Sequence, residues 1–197
     1  MSLVSDLLRH TDYLLSETDP RKLGPSRSEV AFVGRSNVGK SSLINALCQR
    51  RGLANVSKTP GRTRMINVFA VDEWRWLVDL PGYGYAVGPE ASRAGWSAMI
   101  EGYLTSRPSL RSVFLLMDGK VGPTTLDHAM RAWLKDHDLP AILIINKIDQ
   151  VKPSQRVGQQ KRIAEGLELP VSELLWISTT EGNGMVPLRQ TVVKLLS

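Results

Sequence analysis

The chain has 197 residues, 42% of them hydrophobic, and a formal charge of +6. That length suits one compact domain with a sizeable core, and no stretch approaches the ~18 apolar residues of a membrane span. Residues 1–10 lack both the basic start and the long apolar run of a secretion signal, so the expected compartment is the cytoplasm.

Apolar residues at 3, 4, 7, 8, 14 and 15 predict a short amphipathic helix over 3–15. Residues 18–27, with Pro20, Gly24 and Pro25, read as a linker. Residues 1–25 are thus expected as a helix and linker packed on a domain formed by 26–197. Residues 29–33 predict a buried strand, and residues 39–48 a helix. The lone cysteine, Cys48, falls on the apolar side of that helix and reads as a buried thiol; it excludes an intrachain disulfide framework. Residues 66–71 and 74–78 predict two strands joined by Asp72-Glu73, an antiparallel hairpin. Residues 89–104 look helical. The run 112–117 is nearly all apolar, as in a strand covered on both faces. A helix over 124–137 places Leu126, Met130, Trp133 and Leu134 on one face. A strand over 141–145, a helix over 153–167, a strand over 174–177 and a helix over 186–196 complete the chain. Strands alternating with helices after one early hairpin predict an α/β fold with a mostly parallel sheet between helical layers.

Between the first strand and helix lies Gly34-Arg35-Ser36-Asn37-Val38-Gly39-Lys40-Ser41, a GxxxxGKS pattern. That spacing lets successive backbone N–H groups wrap a pyrophosphate at a helix N-terminus, where the dipole favours negative charge. Lys40 is expected on the outer phosphates, and the Ser41 hydroxyl on a magnesium ion. Asp79-Leu80-Pro81-Gly82 follows the next parallel strand. A carboxylate there can hold magnesium through a bound water, and the Gly82 N–H can meet a γ-phosphate only when that phosphate is present. Asn146-Lys147-Ile148-Asp149 follows another strand, at the usual ligand side of an open sheet. The two Asp149 oxygens match the N1–H and 2-amino donors of guanine, whereas adenine offers an acceptor at N1 and no 2-amino group. Asn146 is expected to tie this loop to the phosphate loop, and the Lys147 stem to cover the base. Ser178-Thr179-Thr180 closes the set, with hydroxyls steadying the loop and the Thr179 N–H directed at the guanine 6-oxo group.

The polar segment 57–64 has neither helical nor strand periodicity, as suits a loop that orders around magnesium and γ-phosphate. Gly61, Arg62, Thr63, Arg64 and Met65 are its expected contacts. Thr63 is the chosen second magnesium ligand, with Thr59 the runner-up. Residues 82–88 form the companion loop, in which Tyr83, Tyr85 and Val87 are expected to be exposed in one state and covered in the other.

The segments GRSNVGKSSLINAL (34–47), SKTPGRTRMIN (57–67), DLPGYGYA (79–86), NKID (146–149) and ISTTEGNG (177–184) closely resemble the bacterial YihA/EngB/YsxC family of small GTPases. The likeness runs from about residue 26 to the C-terminus. It implies a Ras-like G domain of the P-loop NTPase class, with a six-stranded, mostly parallel sheet containing one antiparallel strand. It also implies a GTP-hydrolysing switch that assists assembly of the large (50S) ribosomal subunit, with any role in division or septation indirect. The family often carries Arg-His and prolines after the strand ending at Asp118, where this chain reads Asp118-Gly119-Lys120-Val121-Gly122-Pro123.

Tyr83 stands where many signalling GTPases place a water-orienting glutamine. A phenol, with a reference pKa of about 10, is a poor base at neutral pH, so Tyr83 reads as a switch or partner contact. Catalysis then falls to Lys40, Thr63, Gly82 and Asn37, the last a candidate for placing potassium beside the phosphates. Arg35, Arg62 and Arg64 are arginine-finger candidates, with solvated loop arginines the plainer reading. Hydrolysis is expected to be slow until a partner stimulates it. A pI of about 9.7 fits a polyanionic partner but also a merely basic enzyme. Arg50, Arg51, Lys58, Arg62, Arg64 and Arg93 could supply ribosomal RNA phosphate contacts. The alternative is a division- or signalling-linked GTPase acting through a protein partner. No DNA partner is expected, and a monomer is the expected state.

Overall fold

The computed structural model describes residues 7–55, 65–84 and 90–197. Seven strands among them form one sheet in the order β1-β3-β4-β2-β5-β6-β7. They are β1 (Asp12–Glu17), β2 (Ser28–Gly34), β3 (Ile66–Ala70), β4 (Arg75–Asp79), β5 (Leu110–Asp118), β6 (Ala141–Asn146) and β7 (Leu175–Trp176). The helices are α1 (Lys40–Cys48), α2 (Glu90–Ser106), α3 (Thr125–Asp136), α4 (Pro153–Gly166) and α5 (Met185–Leu196). Strands β4, β2, β5, β6 and β7 pair in parallel, while β3 runs against both of its neighbours. This is the Ras-like G-domain architecture expected from the motifs, with a seventh strand.

That strand corrects the reading of the N-terminus. Among the described residues there, only 7–9 are helical, and Asp12–Glu17 is an edge strand paired antiparallel with Ile66–Ala70. A pattern as short as 7, 8, 14 and 15 fits either period. What decides is the open edge of β3, whose backbone N–H and C=O groups need partners. The register slips between Tyr13 and Leu15, and both Tyr13 and Leu14 are exposed. Because β1 belongs to the main sheet, the boundary expected at residue 25 does not separate the N-terminal segment from the domain.

Alternation along the central strands divides the core between two faces. Ala31, Val33, Val113, Leu115 and Met117 pack with Ile100, Tyr103 and Leu104 of α2, Leu134 of α3 and Ile163 of α4. Val30, Phe32, Phe114 and Leu116 pack with Leu43, Ile44 and Leu47 of α1 and Leu188 and Val192 of α5. Phe32 and Phe114 stack with ring centroids 5.3 Å apart, a contact worth about 0.5–1.5 kcal/mol beyond its buried area. Cys48 is buried as expected, and burial pushes its thiol up to about 11. On α3, Leu134 is buried, but Leu126 at the first turn is exposed. Trp74 is likewise exposed, whereas Trp76 is buried; the Trp96 side chain lies outside the described residues.

The N-terminal edge of the sheet is pinned by a buried ion pair. The Glu29 carboxylate accepts hydrogen bonds from Ser26, Tyr103, Ser109 and Arg107. Arg107 also donates to Gly24 O at 2.9 Å and lies over the Trp76 ring, 5.5 Å from its centroid. The linker, β2, α2 and β5 thus meet at one carboxylate. Burial pushes the Glu29 carboxyl up, but hydrogen bonds from Arg107, Ser26 and Tyr103 outweigh it and hold it below its ordinary value of 4.5. A carboxyl depressed in this way stabilises the fold above its unfolded pKa and loses that contribution as pH falls through the folded value. Glu29→Gln should cost about 3–5 kcal/mol at pH 7, because Arg107 is left with a buried, unpaired charge. In thermal melts, the gap in Tm between wild type and variant should narrow as pH drops below about 4.

Candidate functional site

The parallel strands β2, β4, β5 and β6 end at one edge of the sheet, and every described nucleotide motif begins there. Asp118 and Asn146 pair directly, while Asp79 lies level with Phe32, two residues before Gly34, so the strand ends step along this edge from β4 through β2 to β5 and β6. The first loop leaves β2 at Gly34 and enters α1 through Gly39, which has φ +103° and no side-chain cap on the helix. The first-turn N–H groups therefore have no protein side chain competing for them. A Cβ on Gly39 would sit 2.5 Å from Asn146 Nδ2, so the two loops touch at a point where only glycine fits.

Lys40 is 7% exposed, and its Nζ donates to Gly34 O at 3.4 Å. Burial pushes its pKa down while the charge of Asp79 opposes that shift. Asp79 is 1% exposed; burial pushes its carboxyl up, against the pull of Lys40 and the Ser41 hydroxyl. Ser41 Oγ donates to Asp79 Oδ2 at 3.0 Å, and the buried Asp79 Oδ1 has no hydrogen-bond partner among the described residues. A hard oxygen donor set of this kind, with an orphaned carboxylate oxygen beside a serine hydroxyl, suits magnesium held directly by Ser41 and through water by Asp79. Gly82 lies against the same loop, where an added Cβ would be 2.8 Å from the Ser36 backbone and 3.0 Å from Lys40 Nζ.

Asn146 Nδ2 donates to Val38 O at 3.0 Å, the tie between loops that its position suggested. Lys147 is held more firmly than a residue merely covering a base. It takes a left-handed φ of 62°, and its Nζ donates to Asn37 O at 2.7 Å and Asp118 Oδ2 at 2.8 Å. Burial pushes the Asp118 carboxyl up, but hydrogen bonds from Lys147 and the Val121 and Lys120 N–H groups hold it low. No described residue donates a hydrogen bond to the half-buried Asp149 carboxylate. Ser178 is buried and accepts from Glu181 N–H at 2.9 Å, which shapes the loop that carries Thr179 and Thr180. Ile148 N–H donates to Ile177 O at 3.4 Å, joining that loop to the 146–149 loop. The side chains of Val38, Leu80 and Ile148 are buried in the interior, leaving only their backbones to meet a ligand.

Several expected residues do not take free positions. Arg35 Nε lies 3.9 Å from Asp127 Oδ2. Arg50 is committed to β1, at Thr11 O and, at 2.5 Å, Asp12 Oδ1. Tyr83 is 5% exposed, with its phenol donating to Asp127 Oδ1 at 2.8 Å. Met65 is exposed just before β3. Lys58, Thr59, Gly61, Arg62, Thr63, Arg64, Tyr85, Val87 and the Arg93 side chain lie outside the described residues. Sequence reasoning missed Asp118 and Asp127. Asp118 ends an apolar strand just as Asp79 does, a signal that could have marked it; Asp127 carried only its place three residues after a capping threonine.

A profile of the family described as 50S ribosome-binding GTPase matches residues 29–147. The probable GTP-binding protein EngB of Citrifermentans bemidjiense is 41% identical over 192 residues, covering 97% of this chain and 90% of that protein. Its counterpart in Pelotomaculum thermopropionicum is 46% identical over 165 residues, or 83% of each chain. Among solved structures, a probable GTP-binding protein EngB superposes with a TM-score of 0.64 at 28% identity, covering 86% of this chain and 98% of that one. Era in complex with MgGDPNP and a 16S ribosomal RNA fragment gives 0.65 at 26% identity, over 88% of this chain and 58% of Era. Likeness of this extent over nearly the whole length, on a sheet edge built for phosphate, makes the chain a member of the EngB family of GTP-binding proteins and a P-loop GTPase.

Proposed function

We propose that this GTPase cycles between GTP and GDP as a cytoplasmic switch in assembly of the large ribosomal subunit, with any effect on division or septation following from that role. The observation that carries the nucleotide reading is the Asn146–Val38 hydrogen bond. It holds the loop bearing Asp149 at a fixed offset from the loop bearing Lys40 and Ser41, as a base and its phosphates require. In this reading the backbone of residues 34–41 and the Lys40 ammonium bind the phosphates, and Asp149 accepts the two guanine donors. The Thr179 N–H donates to the 6-oxo group, and Gly82 N–H to the γ-phosphate. Ser41 and Thr63 would hold magnesium directly and Asp79 through a bound water. When bound, the ion would neutralise charge on the phosphate oxygens.

Hydrolysis needs an oriented water, and Tyr83 does not provide for it. Its phenol is turned into Asp127, and burial pushes its pKa well above the ordinary value. Asn37 is exposed, its own carbonyl is taken by Lys147, and no described residue hydrogen-bonds its side chain, which would be the ligand of a monovalent cation beside the phosphates. The basic charge of +6 suits a ribosomal RNA surface. The family description and the RNA-bound Era neighbour support a ribosomal partner.

Replacing Asp149 with alanine should cost about 1–3 kcal/mol of GTP affinity, roughly 5- to 150-fold, and erase discrimination against ATP. Titration calorimetry with both nucleotides checks this, and equal GTP and ATP affinity in the wild type overturns the base assignment. Turnover of the isolated protein should stay below about 10 per second and rise in potassium over sodium at matched ionic strength. Phosphate-release assays in the two salts decide whether Asn37 has that role. With a non-hydrolysable GTP analogue, the protein should co-sediment with large-subunit precursors and dissociate as salt rises. Free migration in every nucleotide state would instead favour a switch working through a non-ribosomal protein partner.

A further inference from the structure

Tyr83, the residue after Gly82, is held from two sides. Its peptide pairs with the first loop: Tyr83 N–H donates to Gly34 O at 3.2 Å, and Ser36 N–H donates to Tyr83 O at 3.0 Å. The Ser36 hydroxyl reaches Gly82 O at 3.3 Å. On the other side the phenol enters the core and donates to Asp127 Oδ1 at 2.8 Å. Asp127 is 1% exposed, and its second oxygen accepts from both Thr124 N–H and Thr124 Oγ at 2.8 Å, closing the capping box of α3. Arg35, from the first loop, stands 3.9 Å from the same oxygen. A helix cap needs only one carboxylate oxygen. Here the other is spent on a tyrosine 44 positions earlier, next to the peptide bond that lies against the first loop.

A tyrosine filling core space with a satisfied hydroxyl is the plainer account of this contact, but phenylalanine would fill that space without the bond. The bond fixes the peptide between Gly82 and Tyr83 before any ligand arrives. A peptide already ordered loses less freedom on meeting a phosphate. With Gly82 read as the γ-phosphate donor, only a triphosphate reaches it, so the benefit falls on GTP and not on GDP.

We propose that Asp127 is a positioning residue: by latching Tyr83 it sets Gly82 against the first loop and thereby sets the preference for nucleoside triphosphate over diphosphate. The proposal rests on the reading of Gly82 as the γ-phosphate donor. The test measures affinities for a non-hydrolysable GTP analogue and for GDP, in magnesium buffer, for wild type, Y83F, D127N, the double variant and G82A. Y83F should weaken the analogue about three- to tenfold with GDP within about twofold, and D127N added to Y83F should cost the analogue little more. Y83F leaves the Thr124–Asp127 cap intact, so it carries the test even if D127N fails to fold. Equal loss of both nucleotides in Y83F, or no loss of either, overturns the latch. G82A separates the premise from the latch: if G82A binds both ligands like wild type, the Gly82 reading fails and the latch with it. If G82A loses the analogue while Y83F does not, the latch alone is overturned.

Discussion

Asn146 ends β6 with its side chain 1% exposed and its amide committed to the carbonyl of Val38 in the first loop. Two loops more than a hundred residues apart in sequence are thereby held at one spacing, and the rest of the site takes its dimensions from that bond. Gly39 must be a glycine because Asn146 reaches over it. Lys147 adds a second tie across the same gap, and Asp118 steadies that lysine from the neighbouring strand. The loops can be rigid because the sheet beneath them is. Four parallel strands (β4, β2, β5 and β6) whose central residues are buried leave their C-terminal ends little freedom, which is why ligand sites gather there.

Buried polar groups mark the two ends of the molecule in opposite ways. At the N-terminal edge of the sheet, Glu29 is saturated with donors from four different residues. That cluster fastens α2, β2 and β5 together and leaves nothing for a ligand. At the other edge, Asp79 and Asn146 each retain a buried oxygen without a partner among the described residues. Such groups are costly in a folded protein; among the described residues the only other one is Trp76 Nε1, and the two carboxyl- and amide-oxygen cases both lie where the loops converge, as in a surface built to be completed by something else.

Tyr83 stands between these regimes. In a switch that employed a glutamine at this position, the side chain would face the phosphates. Here it faces inward, to a carboxylate that also begins α3. Chemistry is thereby given up at that residue in exchange for a defined path of the chain past the first loop.

The nucleotide motifs, the alternation of strand and helix and the hairpin around Asp72-Glu73 were all legible in the sequence, because each depends on spacings of a few residues that a fixed backbone geometry demands. The family itself was legible for the same reason. The edge strand β1 was not, since Asp12–Glu17 is extended only because β3 offers it a partner some fifty residues later in the chain. Nor were the pairings of Asp118 with Lys147 and of Asp127 with Tyr83, or the gathering of Ser26, Tyr103, Arg107 and Ser109 on Glu29. A carboxylate in a sequence carries no sign of which distant donor will meet it. That choice belongs to the folded sheet, which brings far-apart positions to hydrogen-bond distance and excludes the water that would otherwise have served them.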